Sequence, residues 1–176
     1  MKKLSTALLL LTIGHSAFTQ NLKSTNASQN SEVATTFLDN AAGEKTTPAN
    51  SINSKAIRNF EKSFKNAREK KWCVMPDGYR AKFTIKGAKS DITYKVDYDK
   101  KGNWTHTILS YDEKELAKDI RDQVKMNYFD YSIVYVDCVM MPHNQNTYVI
   151  HLEGATNWIN VRIADGEMDE LQKYNK

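Results

Sequence analysis

The chain has 176 residues, 40% of them apolar and 26% charged, which is an ordinary globular balance with room for one domain or one domain built from two similar halves. Twenty-five Lys plus Arg against 21 Asp plus Glu leave a net charge of +4, too weak and too evenly spread to point to nucleic acid. Seven Gly, three Pro and two Cys exclude collagen-like and Pro-rich architectures, a disulfide scaffold and a four-thiolate zinc site.

Residues 1–20 have the anatomy of a secretory signal peptide: Lys2 and Lys3, an apolar run through Leu8 to Leu11, then small or polar residues including Ala17 and Gln20. His15 and Ser16 end the run well short of the about 20 apolar residues that a membrane span needs. The expectation is cleavage between Ala17 and Gln20, no membrane span in the mature chain, and a periplasmic or extracellular location. Residues 21–53 are rich in Ser, Thr, Asn and Ala. With few large apolar side chains, Val33, Phe37 and Leu38 among them, they read as a flexible linker that cannot offset its ordering entropy.

From Ser54 the pattern becomes that of a folded unit. Ala56, Ile57, Phe60 and Phe64 recur at helical spacing. After Trp72 the period changes to two. Tyr79, Ala81, Phe83 and Ile85 alternate with Arg80, Lys82, Thr84 and Lys86; Ile92, Tyr94, Val96 and Tyr98 alternate with Thr93, Lys95, Asp97 and Asp99. Such alternation predicts an antiparallel sheet with one buried and one wet face. Asp77-Gly78 and Lys101-Gly102-Asn103 are turn sequences, and Trp104 to Ser110 makes a further strand.

The same order recurs beyond Tyr111. Asp112 and Glu115 have capping-box spacing ahead of a helix carrying Leu116, Ile120, Val124 and Tyr128. Strands are expected over Ser132 to Met140, around Tyr148 to Leu152 and around Ile159 to Ile163, with turns at His143 to Asn146, Gly154 and Asp165-Gly166, and a short last segment with Met168 and Leu171. Phe64 and Tyr128 are 64 residues apart, Cys73 and Cys138 are 65, and Asp99 and Asp165 are 66. That spacing predicts an α+β chain with two tandem units at 54–110 and 111–176.

A helix ending at an aromatic, Lys71-Trp72, Gly78-Tyr79 and above all Tyr98-Asp99-Lys100-Lys101-Gly102-Asn103-Trp104 give this sequence a family likeness. From about Ser54 to Leu171 it resembles the PepSY-like proteins exported by Bacteroidetes-type bacteria, which are described as β-lactamase-inhibitor-like. The resemblance implies two helix-plus-sheet repeats sharing one curved antiparallel sheet with helices on one face, and no catalytic residues.

Asp97 and Asp99 begin like a calcium loop, but Lys101 stands where an oxygen ligand is needed and Ile108 where a Glu is, so a hairpin turn is expected. His151 and Glu153 share a strand face but lack a third ligand with zinc spacing. Cys73 and Cys138 would sit four strands apart in a sequentially ordered sheet, roughly 19 Å, too far for a disulfide; another strand order would remove the objection. No nucleophile elbow, phosphate loop, His-Glu-x-x-His or Cys-x-x-Cys is present, and no enzyme or cofactor is expected.

Charge is unevenly divided. Residues 54–110 hold 14 Lys plus Arg and 6 Asp plus Glu, net +8, whereas 111–176 hold 7 and 12, net −5. The outward parity of Arg80, Lys82, Lys86, Lys95, His151, Trp158 and Arg162 predicts a binding face on the open side of the sheet. Its expected partner is an envelope protein, a glycan or a small anionic ligand. The alternative is a structural protein whose basic and acidic halves associate head to tail in a salt-sensitive manner.

Overall fold

The computed structural model describes residues 45–142 and 146–176; the expected signal peptide, most of the expected linker, and His143, Asn144 and Gln145 of the expected turn lie outside the described residues. Two α-helices, α1 (Ser54–Ser63) and α2 (Lys118–Asn127), accompany eight strands: β1 (Arg68–Met75), β2 (Gly78–Lys86), β3 (Asp91–Asp99), β4 (Trp104–Tyr111), β5 (Ser132–Met140), β6 (Asn146–Glu153), β7 (Asn157–Ala164) and β8 (Glu167–Asn175). All eight form one antiparallel sheet in the order β1-β2-β3-β4-β5-β6-β7-β8. The architecture is α+β.

Register places both helices on one face. Paired residues in a sheet point to the same side. Tyr94, which packs against the α1 core, pairs with Leu109; Leu109 pairs with Cys138, Cys138 with Tyr148, and Tyr148 with Ile163, a member of the α2 core. Under α1 the core is aromatic. Phe60 meets Trp72 and Phe83 edge-on at ring distances of 5.3 and 5.0 Å, and Phe83 stacks on Tyr94 at 5.1 Å. Under α2 it is aliphatic: Val124, Ile133, Val136, Ile150, Leu152, Ile159, Val161 and Ile163.

The Tyr-Asp-x-x-Gly-Asn-Trp segment docks α1. Asp99 accepts hydrogen bonds from the backbone N–H and side-chain amide of Asn103, and these contacts hold its carboxyl below the usual carboxylate range. Gly102 has φ +79° and lies so close to the helix that an added Cβ would be 2.8 Å from the Ala56 nitrogen, so a left-handed conformation and close approach both require glycine. Asn53 caps α1 by accepting the Lys55 N–H and donates its amide to the Lys100 carbonyl, while Asn59 donates to the Gly102 carbonyl. In the second half Gln123 of α2 donates to the Gly166 carbonyl at 3.0 Å.

The helix start expected at Asp112 is displaced. Residues Glu113–Glu115 form a 3-10 turn, and α2 begins at Lys118 with Ala117 before it. Glu115 is engaged elsewhere: its carboxylate accepts the backbone N–H groups of Lys89, Ser90 and Ala88 across the β2–β3 turn, which depresses its pKa. Residues just before α1 also pack on the sheet. Ile52 is buried in the first core, Thr46 bridges Cys73, and the Thr47 N–H donates to the Trp72 carbonyl at 2.7 Å.

Candidate functional site

The face away from the helices carries a band of charged and aromatic groups. In the first half Arg80 lies directly opposite Asp97, and Asp97 opposite His106. Arg80 grips the Asp97 carboxylate with both prongs, Nε to Oδ1 at 2.6 Å and Nη2 to Oδ2 at 2.7 Å, while His106 Nε2 is 3.2 Å from Oδ2. The Thr105 hydroxyl donates to the Asp97 carbonyl at 3.1 Å. Burial pushes the His106 pKa down; the Asp97 charge opposes that shift and the Arg80 charge adds to it. These groups line a cleft of about 490 Å³ with Met75, Tyr79 and Thr105.

The expected exposure of Arg80 is therefore corrected. Its parity is as read, but it is only 2% exposed. Alternation gives the direction of a side chain, not its depth, and a bidentate carboxylate makes burial of a guanidinium tolerable. Lys82 and Lys95 are half-buried and directly opposed, with Lys71 next to Lys82 on β1, so three lysines stand in one row across β1, β2 and β3. Lys86 is exposed at the strand end, opposite Asp91, which is also 2.6 Å from Arg68.

In the second half Asp137 takes the central place. It is buried, accepts a hydrogen bond from the Ser110 hydroxyl, and lies 3.3 Å from His151 Nε2. The His151 ring stacks on Tyr135 with centroids 3.8 Å apart. Arg162 is 4% exposed and donates to Asp169, so its expected solvent exposure is also corrected: here too alternation gave the direction of the side chain and not its depth. Trp158 is on the open face as read, with Lys176 Nζ 4.9 Å above its ring and Tyr174 directly opposite on β8. Tyr135, Trp158 and Tyr174 are 42%, 36% and 47% exposed, which makes this end of the face an aromatic patch.

Tyr135 and Tyr174 were not legible as site residues. The run Ile133-Val134-Tyr135-Val136 has no alternation, because a register shift between Ile133 and Tyr135 interrupts it. Tyr174 belongs to a strand whose charged sequence offers no period. Glu153, read beside His151 as a possible ligand, instead accepts from Lys176 at 2.7 Å. Cys73 and Cys138 are buried on β1 and β5 and point to opposite faces of the sheet, so they do not bond to each other. Burial pushes the Cys138 thiol up to about 12, with the Asp137 charge adding to the shift, so it holds its proton at neutral pH.

No helix among the described residues is long and apolar enough to cross a membrane. No protein family and no curated protein matches the chain by sequence. Solved structures do resemble it. A DUF2874 family protein from Bacteroides ovatus is 19% identical, with a TM-score of 0.56 over 70% of this chain and 87% of that one. A BLIP-like protein from Bacteroides fragilis is 16% identical, with a TM-score of 0.56 over 70% and 86%. A candidate periplasmic protein from Bacteroides eggerthii is 16% identical, with a TM-score of 0.55 over 70% and 88%. At such identities the likeness establishes the fold: this chain has the BLIP-like architecture found among Bacteroides proteins.

Proposed function

We propose that the chain is an exported, non-enzymatic binding protein that takes an envelope partner on the open face of its sheet. The observation that carries this reading is the aromatic patch of Tyr135, Trp158 and Tyr174, exposed on the face that neither helix covers. Trp and Tyr dominate the energetics of protein contacts because they bury a large rigid surface at little entropic cost. The charged first residues and short apolar run of 1–20, together with the periplasmic description of one structural neighbour, support export. The lysine row at the other end favours an anionic region on the partner.

The chain is further read as a divergent PepSY-like protein of two repeats. Asn59 to Gly102 and Gln123 to Gly166 are the same helix-to-turn bond in the two halves, with donors 64 residues apart. Both helices also close alike: the Phe64 N–H donates to Phe60 and the Tyr128 N–H to Val124, again 64 apart.

Capture from an envelope extract with the mature chain and with a Tyr135→Ala/Trp158→Ala variant tests the binding reading. A partner identified with wild type and lost with the variant supports it. Equal recovery of every captured protein by both forms would remove the patch from the function.

A further inference from the structure

The helix-bearing face holds a second feature, remote from the open face. Seven inter-strand spacings of about 4.8 Å make the sheet about 34 Å wide, whereas each helix with its side chains covers about 10 Å. Among the described residues, the two helices leave the middle of the face uncovered. The α1 core draws on β1, β2 and β3, and the α2 core on β5, β6 and β7. Side chains of β4 that point to this face lie between the two cores. The result is a groove of about 660 Å³ with Phe64, Tyr94, Trp104, Leu109 and Met140 among its walls.

Its size lies within the range of small-molecule sites, about 300–1,000 Å³, and such sites combine apolar walls with a few placed polar groups. The polar groups here are mostly engaged within the fold. Asn59 donates to the Gly102 carbonyl, and Trp104 Nε1 donates to the Thr107 hydroxyl at 2.9 Å. Lys62, exposed on α1, is the charged residue of the lining. It stands in the half of the chain with net charge +8, so the surrounding field also favours an anion.

We propose that this groove binds a free small amphiphile, with its apolar body against Tyr94, Trp104 and Leu109 and its anionic head at Lys62. Such a site is separate from the open face and stands whether or not that face binds a partner.

Titration of the full mature chain with 1-anilinonaphthalene-8-sulfonate, an apolar ring system with an anionic head, tests the assignment. The expected result is saturable one-site fluorescence with energy transfer from Trp104, displaced by dodecanoate and not by dodecyltrimethylammonium. Trp104→Phe should both reduce the transfer and weaken the binding, because the indole is part of the apolar wall. Lys62→Glu should raise the dissociation constant about tenfold, and Ser63→Trp, at an exposed position in the groove lining, should block binding. Lys62→Ala gives a milder check, and circular dichroism melts confirm that each variant is folded. Absence of saturable binding, equal displacement by the cation, unchanged affinity in the Lys62 variants, or loss of binding in Trp158→Ala would each overturn the site. Capture by phosphatidylglycerol vesicles with no affinity for free dodecanoate would overturn it in favour of a membrane surface.

Discussion

The two halves of the sheet solve one packing problem with different side chains. Under α1, Phe60, Phe64, Trp72, Phe83 and Tyr94 interlock as rings; under α2, a layer of Val, Ile and Leu fills the equivalent space. Both support a ten-residue helix on at least three strands. The difference teaches that the pattern of apolar positions specifies this architecture, while the identity of the residues sets how rigidly each core is held. The open face differs in parallel. The first half buries an Arg–Asp–His cluster, and the second stacks Tyr135 on the His151 of an Asp–His contact.

Core substitutions are expected to have the largest effects. Phe60→Ala should cost about 3–5 kcal/mol in a urea titration, because the residue is 2% exposed and touches three aromatic rings. Ile150→Val in the aliphatic core should cost about 0.5–1.5 kcal/mol. Phe60→Leu sharpens the comparison: a loss above about 1.5 kcal/mol would show that ring geometry matters there, and a smaller loss would make the two cores interchangeable.

The two buried arginines come next. Asp97→Ala leaves Arg80 without its carboxylate and should cost about 3–5 kcal/mol. Asp169 is 49% exposed, so water screens its pairing with Arg162, and Asp169→Ala should cost less than Asp97→Ala. Equal losses at the two sites would contradict the difference in depth between their carboxylates.

Acidification should separate the halves through His106. Its folded-state pKa is depressed, so the unfolded chain binds its proton more readily, and stability is lost as pH falls from about 6.5 toward the folded value. His106→Gln should flatten that part of the stability profile. A wild-type profile that is level between pH 7 and 5 would contradict burial of a neutral imidazole.

Smaller effects are expected at the surface. Tyr135→Ala/Trp158→Ala should change stability little, by about 1 kcal/mol or less, since both residues are well exposed. Light scattering should report the same mass at low and high salt. The β1 edge carries a register shift with Glu69 at φ +53° and a cover at Thr46, and the β8 edge carries Glu167, Asp169 and Glu170; both devices discourage edge-to-edge association. A salt-sensitive rise in mass would instead favour head-to-tail assembly of the basic and acidic halves.

Much of the fold was legible because strand alternation and turn chemistry are local. Tyr79 to Ile85 and Ile92 to Tyr98 announced their strands and their buried face, and Gly102 announced the turn that seats α1. Asp112 and Glu115 misled because a capping-box spacing is also local, whereas Glu115 is recruited by backbone amides 25 to 27 residues away. Of the candidate residues, Trp158, Lys82 and Lys95 had their open-face direction readable from parity alone. Arg80 and Arg162 were read with the right direction and the wrong depth.

By itself the sequence determined the α+β class, most of the element order, the buried face of the clearly alternating strands and the unequal charge of the two halves, since each depends on spacing or composition along the chain. Tertiary structure decided which outward groups are accessible. Burial of Arg80, His106 and Arg162, the Tyr135–His151 stack, the Trp158–Tyr174 pair, and the groove between the two cores all arise from side chains on different strands and helices, at separations fixed by register and helix width. No local pattern encodes those distances.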